Sequence, residues 1–296
     1  MGVRRDIMQF SVDGLTITAL TAGPADPDPR RPLIAALPGG TYNGRYFDVP
    51  GSARGSFLDT AVAAGYRVVS FDRPGYGAST ALDPAGNTFD RHAELLDAAI
   101  AQAADRLGAG RVFLVGHSIG GMIAVMIAAA QPSFRLAGLS VTGMGAVINA
   151  NGAADALAQL PADATVDLPY EERDKVMFGP EGTYGADAVA AAHGSYAPVP
   201  VRELIQAPRW PVERLPGLAP HVRVPVHNAL AEHDLLWDSA PEHVARFAAM
   251  LTAAPFVEAS VARGTGHSID HHTLGHALHL RQLAFAEECA LWDERR

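Results

Sequence analysis

Three residues of this chain have the types and placement to do covalent chemistry together: Ser118, Asp234 and His267. Ser118 sits in Gly116-His117-Ser118-Ile119-Gly120, which fits the G-x-S-x-G pattern of a nucleophile elbow. Before it, Val112 to Val115 is a short β-branched run suited to a strand. After it, Met122 to Ala130 is an apolar run suited to a helix. On so sharp a turn the hydroxyl stays exposed beside a helix N-terminus, and the glycines let strand and helix close on each other. A serine hydroxyl is a poor nucleophile at neutral pH and needs an adjacent base, usually histidine. The histidine in turn needs a carboxylate to fix its tautomer and stabilise the imidazolium. Asp234, in Glu232-His233-Asp234, and His267, in Gly264-Thr265-Gly266-His267, each follow a late strand-like run.

The elements that must position these groups read as an alternation. Residues Met8 to Ala22 alternate around Asp13-Gly14, a hairpin of two edge strands. Strands follow at Leu33 to Leu37, Tyr66 to Phe71, Val112 to Val115 and Leu136 to Val141. Helices lie between them at Phe57 to Ala64, Phe89 to Leu107 and after Ser118. Such alternation predicts an α/β fold, a mostly parallel sheet covered by helices on both faces, with ligands at the C-terminal strand ends. From about Val147 to Pro220 the rhythm breaks into Ala-rich pieces, prolines and scattered aromatics, which is too long for a structureless loop. We read residues 147–220 as a helical cap inserted after the sixth strand, between core portions 1–146 and 221–296. The rhythm resumes with strands Val222 to Leu230 and Phe256 to Ala262, a helix from Pro241 to Leu251 and a last helix to Trp292.

With these motifs in place, the chain resembles the α/β-hydrolases along almost its whole length apart from the cap. The resemblance rests on Gly116-His117-Ser118-Ile119-Gly120-Gly121, Asp72-Arg73-Pro74-Gly75-Tyr76-Gly77-Ala78-Ser79, Glu232-His233-Asp234 and Gly266-His267, in that order. It implies Ser118 as nucleophile, His267 as general base and then acid, and Asp234 as the orienting acid, with Glu232 and Asp238 as fallbacks for the last. A serine rather than an aspartate at the elbow argues against haloalkane dehalogenase and epoxide hydrolase chemistry. The oxyanion hole needs two aimed N–H groups. One is expected from Ile119 and the other from Gly40 or Thr41, after the strand Leu33 to Leu37. The family usually has His-Gly there, whereas this chain has Pro38-Gly39, and Tyr42 or Asn43 is considered as a side-chain donor. The tight Asp72 to Ser79 turn reads as structural. Candidate substrate contacts are Tyr42, His117 and the cap aromatics Tyr170, Phe178, Tyr196 and Trp210, although such aromatics more often pack a cap's own core.

Bulk properties narrow the alternatives. A net charge of −9 argues against nucleic acid and anionic membrane partners. The single Cys289 excludes an internal disulfide and reads as a packing residue. His272, His276 and His279 have the spacing of one helix face, but no acidic residue completes a metal set, so neither metal nor cofactor is expected. The start, MGVRRDIMQFSVDG, lacks the apolar core of a secretory leader, and no run is long enough to span a bilayer. The expectation is therefore a cytoplasmic enzyme acting on a small molecule, possible as a homodimer. The leading chemistry is hydrolysis of an ester, thioester or amide of a largely apolar substrate. A lactonase, a carbon–carbon bond hydrolase or a cofactor-free perhydrolase would use the same triad. A non-hydrolytic receptor or cyclase using the cap pocket is the alternative of another class.

Overall fold

The computed structural model describes residues 3–50, 55–149 and 160–294, so part of the expected cap, residues 150–159, lies outside the described residues. The chain opens with the hairpin β1 (Arg5–Val12) and β2 (Leu15–Ala22). Its two turn residues, Asp13 and Gly14, both have positive φ (51° and 77°), as a two-residue hairpin loop requires. The strands β3 (Leu33–Leu37), β4 (Val68–Phe71), β5 (Val112–His117) and β6 (Leu136–Thr142) follow. A small separate ribbon pairs β7 (Thr165–Val166) with β8 (Val199–Pro200). The main sheet is completed by β9 (Val226–Ala231) and β10 (Val257–Ala262).

The eight-stranded sheet has the order β1-β2-β4-β3-β5-β6-β9-β10. Only β2 runs antiparallel to its neighbours, and every other pair is parallel. From β3 the chain steps to one side to form β4 and then returns to the other side to form β5. The loops leaving β3 and β5 therefore diverge, and the crevice between them is where such sheets bind ligands. This is the α/β-hydrolase fold.

Side-chain alternation fills both faces of the sheet. Leu33, Ala35 and Leu37 of β3, with Val112 and Leu114 of β5, face α2 (Phe89–Arg106) and α3 (Ile119–Ala129). Ile34 and Ala36, with Phe113 and Val115, face α1 (Phe57–Ala63) and the C-terminal helix. Cys289 packs inside that second layer.

Several boundaries differ from the sequence pattern for local reasons. Tyr66 precedes its strand because its N–H bonds back to Ala61 O, closing the end of α1. Strand β9 starts at Val226 rather than Val222, after Pro225, which has no N–H to give a ladder. Between β6 and β9 lie α4 (Tyr170–Met177), α5 (Ala186–Ser195) and α6 (Val201–Glu213). Helix α6 runs through Pro208 and Pro211, which leaves the carbonyls of Leu204 and Ala207 without their i+4 donors. The short α7 (Leu215–Leu218) follows α6 before β9, and α8 (Pro241–Met250) and α9 (Gly275–Asp293) complete the described α-helices. No helix among the described residues is long and apolar enough to cross a membrane.

Candidate active site

Ser118 stands between β5 and α3 with φ 53° and ψ −121°, a conformation that L-residues rarely adopt. The two outer positions of the motif have to be glycine. A Cβ at Gly116 would lie 2.6 Å from Gly121 Cα, and one at Gly120 would overlap the backbone of Leu37 and Pro38. Backbone against backbone cannot yield, so only glycine permits the approach. Ser118 N–H donates to Thr142 O at 2.7 Å, pinning the turn to β6. Ile119 opens α3, so its N–H belongs to the helix's first turn and has no intrahelical partner.

Asp234 lies in the loop after β9. Its Oδ1 accepts the N–H groups of Leu236 (2.8 Å) and Trp237 (3.1 Å), and its Oδ2 accepts from His267 Nδ1 at 2.9 Å. Both side chains are buried. Because a carboxylate can only accept, the His267 proton sits on Nδ1 and Nε2 is left as a base. Ser118 and His267 line one cavity. No direct hydrogen bond joins them, a contact that commonly tightens only when substrate is bound. The fallback carboxylates have other work: Glu232 accepts Gly264 N–H at 2.7 Å and Asp238 accepts Ala240 N–H at 2.9 Å.

The loop after β3 crosses Ser118 closely. A Cβ at Gly39 would come within 3.0 Å of Ser118 Cβ, and one at Gly40 within 2.9 Å of Ile119 Cδ1. Thr41 follows at φ 65°, and its buried hydroxyl has no protein partner. Gly40 and Thr41 both line the cavity. Neither of the residues considered as side-chain donors lines the cavity. Tyr42 OH pairs with Ser268 Oγ at 2.9 Å, and Asn43 Oδ1 accepts Arg45 N–H at 2.9 Å.

The cavity has a volume of about 130 Å³ and a wall of Met122, Ile148, Met177, Leu204, Ala207, Pro208, Leu236 and Trp237. None of the residues that line it is an aspartate, glutamate, lysine or arginine. The six expected contact residues are all absent from this lining, because each is engaged elsewhere. His117 lies behind the elbow, stacked on Tyr46 (4.6 Å between ring centres) with Nδ1 on Thr142 Oγ1 at 3.2 Å. Tyr42 packs on Tyr46 and Tyr196, and Tyr196 OH donates to Asp174. Tyr170 stacks on His193 near the surface, Phe178 packs on Tyr184, and Trp210 is buried in the core. The stripe Leu204-Ala207-Pro208, at i, i+3 and i+4, was the available sequence signal for the wall.

Two supporting residues carried no motif. Asn149 Nδ2 donates to Asp234 O (2.9 Å) and Trp237 O (3.0 Å), bracing the acid loop. His272 precedes α9 instead of sharing its face with His276 and His279. Its Nε2 accepts two N–H groups, from Gly179 and Gly266, each at 2.9 Å, while Nδ1 donates to Ser268 O. It thereby ties the end of α4 to the residue before His267. His279 pairs with Asp270, and among the described residues no cluster has the makings of a metal site.

A family model described as the alpha/beta hydrolase family matches residues 34–288, and the chain belongs to that family. It is 40% identical over 88 residues to a 2-hydroxy-6-oxononadienedioate/2-hydroxy-6-oxononatrienedioate hydrolase of Burkholderia vietnamiensis, a stretch covering 30% of this chain and 29% of the relative. A Klebsiella pneumoniae protein of the same description is 38% identical over 88 residues, again 30% of this chain and 29% of the relative. Among solved structures, a thermophilic esterase from Thermogutta terrifontis superposes with a TM-score of 0.66 at 18% identity, covering 98% of this chain and 100% of the esterase. An N-acyl homoserine lactonase superposes at 0.68 and 14% identity, covering 97% and 98%. These superpositions show the shared fold.

Two outcomes follow from the geometry. Gly120→Ala should lower the urea midpoint by the equivalent of about 3 kcal/mol through backbone overlap. Gly110→Ala, where a Cβ meets nothing within 4 Å, serves as the control and should stay near wild type. Acid should also destabilise the fold well above the carboxylate range. Burial holds His92, His117 and His271 below the ordinary value of 6.5 and pushes His227 and His272 down to about 4. Between those limits the unfolded chain binds protons that the folded one refuses, so stability is full above pH 6.5 and falls as pH drops towards 4. Each such histidine costs about 1.4 kcal/mol per pH unit within that window. A melting temperature that stays flat from pH 7 to 4.5 would contradict this.

Proposed function

We propose that this hydrolase cleaves small, uncharged carboxylic esters through an acyl-enzyme on Ser118. The observation that carries this reading is a buried Asp234–His267 pair whose histidine lines, together with Ser118, a cavity without aspartate, glutamate, lysine or arginine in its wall. In the proposed reaction, Ser118 Oγ attacks the ester carbonyl and its proton passes to His267 Nε2. Asp234 keeps the ring oriented through Nδ1–H and stabilises the imidazolium. The developing oxyanion is received by the N–H groups of Ile119 and Gly40. Collapse expels the alcohol, which takes the proton from His267, and a water activated by the same histidine then frees the acid.

The uncharged wall supports a neutral substrate, because an unpaired carboxylate in such a setting loses hydration without compensation. That distinguishes this cavity from one built for the dianionic acids in the curated relatives' names. Carbon–carbon hydrolysis, which those names describe, is the second reading, and it would apply to a ketone without the second carboxylate.

A fluorophosphonate probe should label the wild-type protein at Ser118 and leave Ser118→Ala unlabelled. The variant should lose at least about 1,000-fold in kcat/KM on p-nitrophenyl acetate and butyrate. Asp234→Asn should cost on the order of 10,000-fold in kcat. Wild-type turnover of an anionic hemisuccinate ester should be at least about 10-fold slower than that of the neutral butyrate. Undiminished activity in Ser118→Ala would sink the reading, and equal rates on the two esters would sink the claim of charge selection. Turnover of a neutral vinylogous diketone with no ester cleaved would favour the second reading.

A further inference from the structure

We propose that Arg73 and Glu203 form a positioning pair through which helix α6 of the inserted segment aims the Gly40 N–H into the cavity. The inference deepens the proposed function and rests on it for the oxyanion. Arg73 follows β4 in the tight Asp72-Arg73-Pro74-Gly75 turn, and its side chain is wholly buried. The guanidinium spends its donors on two consecutive loop carbonyls, Nε on Pro38 O (3.1 Å) and Nη2 on Gly39 O (3.0 Å). Nη1 donates to Glu203 Oε2 at 2.8 Å, and Tyr76 OH donates to the same oxygen at 3.1 Å. Tyr76 also lays its ring under the cation, 4.3 Å from Cζ. His92 Nδ1 lies 3.2 Å from Nη1 and must accept, since arginine only donates, so its proton is on Nε2, facing Asn87 Oδ1 at 2.6 Å.

Peptide geometry carries these contacts to the site. In a trans peptide the C=O and the following N–H point in opposite directions. Drawing Gly39 C=O towards Arg73 therefore turns Gly40 N–H the other way, and Gly40 lines the cavity with Ser118 and Ile119. This favours Gly40 over Thr41 as the second donor. Glu203 anchors the other end, on the helix whose Leu204, Ala207 and Pro208 form the cavity wall. A shift of α6 moves the wall and, through the ion pair, the loop. Lysine cannot replace arginine here, because a single ammonium lacks the planar fork that reaches two carbonyls and a carboxylate together.

The test uses Arg73→Lys and Glu203→Gln, with two readouts. Hydrogen exchange of the peptide spanning residues 36–44 should rise at least about 10-fold in both variants, relative to peptides from β5 and β6. That readout does not depend on which bond the protein cleaves. On a neutral p-nitrophenyl ester, kcat should fall on the order of 10- to 100-fold with KM within about 3-fold, as expected when a reacting group is displaced. The preference for the oxygen ester over its thionoester should shrink by the same factor, because only an oxyanion-hole defect weakens that preference. Unchanged loop exchange in Glu203→Gln overturns the coupling to α6, even if Arg73→Lys fails to fold. Raised exchange with an intact ester-to-thionoester ratio overturns the role at the oxyanion. Wild-type protein that cleaves no ester overturns the proposed function, and the exchange measurement still decides the coupling.

Discussion

The structure depends on how closely α3 can lie against the strands it follows. Ser118 is held in a backbone conformation that costs on the order of 1–3 kcal/mol. That cost is met by the burial of α3, whose residues Ile119 to Ala128 are all shielded from solvent. Such burial requires strand and helix to touch backbone to backbone at Gly116, Gly120 and Gly121. The same approach sets Ile119 beneath Gly40, so the strained turn and the course of the loop after β3 are products of one packing constraint.

The inserted segment is joined to the core at several points, each close to a group with a candidate chemical role. Asn43 N–H and Ala197 N–H exchange bonds with Ser195 O and Thr41 O, linking α5 to the loop after β3. His272 gathers Gly179 and Gly266, linking α4 to the residue before His267. The Ile148–Trp237 bridge and Asn149 link the start of the segment to the Asp234 loop. These ties demand neutral histidine at 272, because a protonated Nε2 could accept neither N–H. Burial supplies that neutrality.

What the sequence revealed and what it hid divide along a physical line. Strands β3 and β5 were legible because both their faces meet helices, which leaves a short, continuous apolar run in the sequence. Ser118, Asp234 and His267 stood out as candidates because each follows a strand-like run, Ser118 and His267 beside glycines. The cavity wall was hidden. Leu204, Ala207 and Pro208 lie in a helix with two internal prolines, where local preference argues against a helix at all. The aromatics expected there pack elsewhere, since a ring is as useful to the segment's own core as to a ligand. Arg73, Asn149 and His272 were hidden because each has a decisive partner 34 to 130 residues away (Gly39 and Glu203, Asp234, and Gly179, respectively), and no local period records such a contact.

The departure at Pro38 shows how such a distant contact replaces a local one. Where relatives usually carry histidine before the glycine, this chain carries a residue with no N–H and no side-chain polar atom. A loop built that way cannot hold itself by its own hydrogen bonds, yet its carbonyls are buried and need donors. Arg73 supplies them, and an arginine buried for that purpose needs a counter-charge. Within the core the nearby polar groups are neutral: His92, turned to accept, and Tyr76. The carboxylate comes instead from Glu203 on α6. The buried pair thus makes α6 part of the support of the loop after β3, since removing either charge would strand the other without water.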